Sequence, residues 1–352
     1  MAPTMPPTPP SEADIDIPPS TTTTTIPPTK PHTHTIIFLH GREDYGSDLA
    51  NSLFDSKSSS PTTCASGPLS LRELFPSVKW VFPTALLRYC ARRDEEFQKS
   101  SFASLLEGEE FISQWFDVWD LHNPGERKGL MREGLRESIR QIEGIVEEEA
   151  GIIGSSNVIL GGISQGCAAG IYAVLVTGMR IGGFMGISSW LPFLKDIERM
   201  PAACQRKIEG VSAHIQEFLG YHGYQPPKNG NTCYDKFPMF FSHSKDDETV
   251  PFAYGEALYR NVSCIMDNHD NIIFRQYKDG GHWIHPRHGV DDMFVFLHHS
   301  VGIPRNELEV TDERSGALEQ ARNVGYEERC KMLAEAELRN IEREMEESMK
   351  IS

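Results

Sequence analysis

Residues 157–170, NVILGGISQGCAAG, constrain the fold of this chain more than any other stretch. An apolar strand, Val158-Ile159-Leu160, runs into Gly161 and Gly162. Ile163, Ser164, Gln165 and Gly166 follow, and then a run of small residues suited to opening a helix. A strand that turns directly into a helix holds the corner residue in a strained backbone conformation. Side chains on either flank would clash with the strand or the helix, so the turn demands glycine there. Gly162-x-Ser164-x-Gly166 meets that demand and has the form of a nucleophile elbow. The helix after it aims its N-terminus at the serine, where backbone N–H groups stabilise developing negative charge. The bland alternative is an ordinary strand-to-helix turn, because GxSxG also recurs by chance.

The rest of the chain predicts a sheet around this turn. Thr35-Ile36-Ile37-Phe38-Leu39 is a continuous apolar run of the kind that forms a buried parallel strand, and residues 78–82, 183–187, 238–242 and 271–277 are expected to be further strands. Leu135, Ile139, Ile142 and Val146 recur three or four apart and predict an amphipathic helix over 130–149. Further helices are expected near 212–218, over 253–262 and over 290–299. Strands alternating with helices make an α/β fold with a mostly parallel central sheet flanked by helices. In such sheets the chemistry gathers at the carboxyl ends of the strands. Each polar cluster in this chain directly follows an expected strand: His40-Gly41-Arg42, Ser164, Ser188-Ser189, Asp246-Asp247 and His282.

The ends differ from the middle. Residues 1–34 are dominated by Pro and Thr, too polar to offset the entropy of ordering, and are expected to form a disordered tail. Residues 35–304 form the expected α/β domain. Residues 305–352 are highly charged and helix-prone, with Leu338, Ile341 and Met345 on one stripe, and form a C-terminal extension able to pack on the body or to bind a partner. Residues 92–111 and 195–236 lack a clear period and are read as enlarged, irregular segments over the site.

Charge and cysteines exclude several classes of function. A net charge of −16 argues against nucleic acid or an anionic membrane surface as partner. Seven scattered cysteines, with no CxxC pair, indicate free thiols in a reducing, cytoplasmic setting. No run approaches the roughly 18 apolar residues of a membrane span, and no apolar signal segment is apparent at the N-terminus. His282, His285 and His288 invite a metal reading, but Pro286 breaks the helical geometry an H-x-x-H site needs.

A serine hydroxyl needs a base in hydrogen-bond reach, and the base needs an orienting carboxylate. Downstream of Ser164 the chain supplies Asp246 and Asp247 after one strand and His282 after the next. Asp247 precedes Val250-Pro251 as D-x-x-V-P and is the preferred acid; His282 directly follows Gly280-Gly281, where a loop can turn the ring inward. For an oxyanion hole, Gln165 offers one backbone N–H and the His40-Gly41-Arg42 loop the other. His40 lies ahead of the serine in a glycine loop and is read as structural.

Together these residues resemble the acyl-protein thioesterase and phospholipase/carboxylesterase family of α/β-hydrolases. The matching pieces are Phe38-Leu39-His40-Gly41, Pro83-Thr84-Ala85, Trp115-Phe116-Asp117, residues 160–166 (LGGISQG), Ser188-Ser189-Trp190-Leu191-Pro192, His243 with Asp247 and Val250-Pro251, and Tyr277 followed by His282. They occur in family order over residues 35–301. The resemblance implies Ser164 as nucleophile, Asp247 as acid and His282 as base. It implies oxyanion donors on the backbone of Arg42 and Gln165, and Trp115 as a wall of an acyl-binding groove. No metal or organic cofactor is implied. The substrate would be an acyl ester or thioester, whether small molecule, lipid or acylated protein. The sequence departs from the family pattern at Arg42-Glu43-Asp44, where Leu-Gly-Asp is usual, and at Ser244, where glycine is preferred. Two other functions stay open at this level: a non-catalytic binding protein on the same fold, and an interaction scaffold built on the acidic C-terminal extension.

Overall fold

In the computed structural model, residues 22–59, 68–98, 111–201, 208–221, 237–266 and 269–306 are described. Seven strands form the main sheet in the order β1-β3-β2-β6-β7-β8-β9. They are β1 (Thr24–Ile26), β2 (His34–Leu39), β3 (Val78–Phe82), β6 (Val158–Ile163), β7 (Gly183–Ile187), β8 (Met239–Ser244) and β9 (Ile272–Tyr277). All neighbours pair parallel except β1, which runs antiparallel to β3. Two short strands, β4 (Leu87–Tyr89) and β5 (Phe111–Ser113), form a separate antiparallel ribbon.

The sheet is buried on both faces because successive residues of its strands point to opposite sides. In β2, Ile37 and Leu39 join one apolar cluster, and Ile36 and Phe38 the other. The first cluster takes the apolar faces of α4 (Met131–Ile153) and α7 (Ile208–Leu219), with α5 (Gln165–Thr177) packed against both helices and against β6. Leu135, Ile139, Ile142 and Val146, the expected α4 stripe, are all buried. Every residue of α5 is buried, which is why its sequence is apolar all round rather than amphipathic. The second cluster is covered by α1 (Gly46–Asp55), α2 (Leu71–Leu74) and α9 (Gly289–Val295). The remaining helices are α3 (Ala91–Gln98), α6 (Leu194–Glu198) and α8 (Phe252–Met266).

Three expectations need correction. Order begins before residue 35: Thr24, Thr25 and Ile26 pair with Phe82, Val81 and Trp80. Three β-branched residues suit a short edge strand even in a Thr-rich tract. Residues 92–111 are not wholly irregular, since they hold most of α3 and the first residue of β5. The α3 N-terminus is fixed by the Asp117 carboxylate, which accepts from Ala91 N–H at 3.1 Å. Residues 195–236 likewise hold most of α6, besides α7, which is the helix expected near 212–218. Residues 307–352 of the C-terminal extension, with the stripe on residues 338–345, lie outside the described residues. No helix among the described residues is long and apolar enough to cross a membrane.

Candidate active site

Ser164, Asp247 and His282 each follow the carboxyl end of a strand of the parallel sheet, β6, β8 and β9 in turn. Ser164 sits at the corner between β6 and α5 with φ 55° and ψ −124°, a conformation that L-residues rarely adopt. The surroundings enforce it. Ser164 N–H donates to Ile187 O at 2.8 Å, and Ser189 Oγ donates to Ser164 O at 2.7 Å, so the end of β7 grips the serine on both sides. A Cβ on Gly162 would lie 2.7 Å from Gly166 C and 2.8 Å from Cys167 N. A Cβ on Gly166 would lie 2.4 Å from both Leu39 O and His40 O. Both glycines are therefore set by backbone approaching backbone, which no rotamer change can relieve.

The loop after β2 lies against the serine: a Cβ on Gly41 would be 3.6 Å from Ser164 Cβ, in ordinary contact. His40 braces this loop. Its Nε2 accepts from Ala85 N–H at 2.9 Å, so the ring proton is on Nδ1, which donates to Gly41 O at 2.6 Å. Burial lowers its pKa to about 4, partly opposed by the Gly41 carbonyl and Asp48, so His40 is neutral at pH 7. The Gln165 side chain spans the same region, with Oε1 accepting from Trp115 N–H at 2.8 Å and Nε2 donating to Phe116 O at 2.7 Å. The Gln165 backbone N–H opens α5, where no intrahelical carbonyl precedes it.

Trp115 does not line an open groove. It is fully buried, and its indole N–H donates to His40 O at 2.9 Å. The expectation from the resemblance is corrected here: the indole lies under the loop after β2 and holds that loop's carbonyl. An aromatic in a motif carries no signal of the direction in which its ring packs, so this orientation was not readable from the sequence.

Asp247, in the turn after β8, is packed out of solvent with all its oxygens engaged. Oδ1 accepts from Thr249 N–H at 2.9 Å and Val250 N–H at 2.8 Å. Oδ2 faces His282 Nδ1 at 2.7 Å and His243 Nε2 at 3.1 Å. Burial favours the protonated acid, but the hydrogen bonds from His243, His282 and Val250 outweigh it and hold the carboxyl well below the usual range. His282 is partly exposed on a loop that turns through Gly280 at φ 125° and Gly281 at φ 63°. Asp246, the carboxylate not preferred from the sequence, fastens that loop by accepting from Gly280 N–H at 3.2 Å and Gly281 N–H at 3.0 Å. His285 pairs with Asp279 at 3.2 Å and stacks on the Tyr277 ring. Among the described residues, no group of three or more His, Cys, Asp or Glu is arranged to hold a metal ion.

The departures from the family pattern have visible consequences. Glu43 adopts φ 65°, a backbone region that favours glycine, while its N–H donates to Ser113 O at 2.8 Å and its carboxylate pairs with Arg93 on α3. The Arg42 side chain runs under the loop, donating to Gln114 Oε1 at 3.3 Å and Cys90 Sγ at 2.8 Å. Cys167 lies one turn into α5 beside the serine, but burial pushes its thiol up to about 12 against hydrogen bonds from Ser189 and Ile187. It is not a competing nucleophile at neutral pH.

Comparison with known proteins agrees with this fold. A family model described as Phospholipase/Carboxylesterase matches residues 100–217. The acyl-protein thioesterase 1 of Yarrowia lipolytica is 26% identical over 254 residues, covering 72% of this chain and 86% of its own. That of Cryptococcus neoformans is 24% identical over 235 residues, covering 66% and 73%. The crystal structure of Zea mays acyl-protein thioesterase 2 superposes with a TM-score of 0.53 at 20% identity, covering 80% of this chain and 100% of that one. In sequence this chain is similar to the acyl-protein thioesterase and phospholipase/carboxylesterase group, and it has the α/β-hydrolase fold.

Proposed function

We propose that this protein hydrolyses carboxylic esters or acyl-thioesters through an acyl-enzyme on Ser164. The observation that carries the reading is the 2.7 Å contact between His282 Nδ1 and Asp247 Oδ2, on the sheet edge where Ser164 is held at a strained corner. An ionised carboxylate accepting from Nδ1–H fixes the tautomer that leaves Nε2 free as a base.

The reaction then runs in two halves. Ser164 Oγ attacks the acyl carbonyl while His282 Nε2 takes the hydroxyl proton. The resulting oxyanion accepts hydrogen bonds from the backbone N–H groups of Gln165 and Arg42. The intermediate collapses, the bond to the alcohol or thiol breaks, and the imidazolium returns its proton to that leaving group. Water repeats the sequence on the acyl-serine, releasing the carboxylic acid and restoring Ser164. Asp247 stays ionised throughout and offsets the charge that forms on His282. No cofactor enters the scheme.

Acyl-protein thioesterase is the name of the relatives in yeasts and maize, and an acylated protein, lipid or small ester is accordingly the substrate class we assign. Leu87, Tyr89 and Phe111, exposed on the β4–β5 ribbon, offer apolar surface for an acyl chain; the ribbon borders the oxyanion loop through the Glu43–Ser113 hydrogen bond. We place the protein in the cytoplasm, a reading supported by its scattered, CxxC-free cysteines.

A fluorophosphonate probe tests the assignment. Wild-type protein should be labelled and Ser164→Ala should not, with hydrolysis of p-nitrophenyl esters lost in parallel. Equal labelling of both proteins, or unlabelled wild type with no turnover across esters and thioesters, would overturn it.

A further inference from the structure

His243 is the last-but-one residue of β8 and is almost fully buried. Its Nε2 lies 2.9 Å from Val250 O and 3.1 Å from Asp247 Oδ2. Both partners are acceptors, so Nε2 carries the proton, which is hydrogen-bonded to Val250 O with Asp247 Oδ2 beside it. The other ring nitrogen, Nδ1, is buried without a hydrogen-bond partner among the described residues. That edge is closed by α8, where a Cβ on Gly255 would lie 2.0 Å from Nδ1, and by the Phe252 ring, edge-on with centroids 5.8 Å apart. The Nδ1 edge of the ring is thus packed directly against the backbone of α8. The protein leaves one nitrogen unsatisfied and keeps the other aimed at Asp247.

We propose that His243 is a positioning residue for the Asp247–His282 pair: it donates to the same oxygen, Asp247 Oδ2, that orients His282 Nδ1. The proposal rests on the reading of His282 as the base. A donor on Oδ2 draws off part of its negative charge. His282 then faces a weaker acceptor and is a base that ionises less readily. Without the donor, Oδ2 holds the His282 Nδ1 proton more tightly and the imidazolium is favoured. The remaining charged groups around the pair stay in place in the variants below. These are Asp246 on the Gly280-Gly281 turn, Lys245 over the Phe252 ring, and the His285–Asp279 pair.

The test is the pH profile of kcat/KM for a p-nitrophenyl ester in wild type, His243→Phe, His243→Asn and His243→Gln. Phe fills the ring's space without a donor. Asn is smaller and polar, and too short to reach Asp247 Oδ2. Gln carries an amide N–H to about the position of Nε2. In Phe and Asn the acidic limb should move to higher pH by about one unit, with KM little changed, and Gln should restore it. If Phe does not fold, as judged by its thermal melt, Asn alone decides. A wild-type limb in Phe or Asn, or a shift equally large in Gln, overturns the proposal. Fluorophosphonate labelling of Ser164 separates this from failure of the functional reading. Labelling that persists while the limb stays put rejects His243 alone, whereas loss of serine-dependent turnover in the wild type rejects the reading beneath it.

Discussion

The indole N–H of Trp115 donates to the carbonyl oxygen of His40 at 2.9 Å, so a buried aromatic holds the loop that faces Ser164. If the indole acts on that loop, Trp115→Phe should keep the packing and lose one buried hydrogen bond, costing about 1 kcal/mol of stability. Turnover of p-nitrophenyl esters should then fall by a similar factor for every chain length. A loss that grows with acyl length would instead make Trp115 a wall of the acyl site.

The approach of α5 to the end of β2 makes a sharper prediction. Gly166→Ala would place a Cβ 2.4 Å from two backbone oxygens, Leu39 O and His40 O. Main chain must move, and a loss of about 3 kcal/mol or more is expected in denaturant unfolding. Gly144→Ala, on a helix position where an added Cβ meets nothing within 4 Å, is the control and should be neutral or stabilising.

Glu43 bears a residue-specific strain. At φ 65°, Glu43→Gly should fold and melt close to wild type, because the relief of a left-handed backbone offsets the lost pairing with Arg93. Glu43→Val should lose about 2 kcal/mol in the same melts, since a branched Cβ fits that backbone worst.

Acid should weaken the fold first through His40. Its folded pKa, about 4, lies below the model-histidine value of 6.5, so the unfolded chain binds more protons between these values. The contribution is full above pH 6.5, declines as pH falls and is lost below about 4. Asp247 has the same sign: its contribution is full above the ordinary carboxylate range and lost as pH drops through its lower folded value. His34, also lowered by burial and by His32, adds to the slope. Unfolding free energies measured from pH 7 to pH 4 should therefore fall more steeply in wild type than in His40→Gln.

Much of this arrangement was legible in the sequence because burial on both faces leaves a plain mark. Residues 35–39 and 183–187 are apolar runs, residues 78–82 are one interrupted only by Lys79, and each is a strand of the main sheet. The GxSxG turn was legible for a related reason, because close backbone packing at Gly162 and Gly166 permits only glycine. Features made by polar or isolated residues were not. β1 hides in a Thr-rich tract since an edge strand needs little apolar content. The β4–β5 ribbon joins two three-residue strands whose pairing leaves no periodic pattern. Likewise, Asp246 and Asp247 are adjacent carboxylates with different duties. One fastens the Gly280-Gly281 turn and the other meets His282, a division set by the direction each side chain takes from a single turn.

The most direct test of the central claim is to trap the acyl group. After brief mixing with p-nitrophenyl acetate and an acid quench, mass spectrometry of the digested protein should find one acetyl group on the peptide containing Ser164. That adduct should be absent in Ser164→Ala and strongly reduced in His282→Ala. Acetylation of another residue with turnover intact in Ser164→Ala would contradict the account.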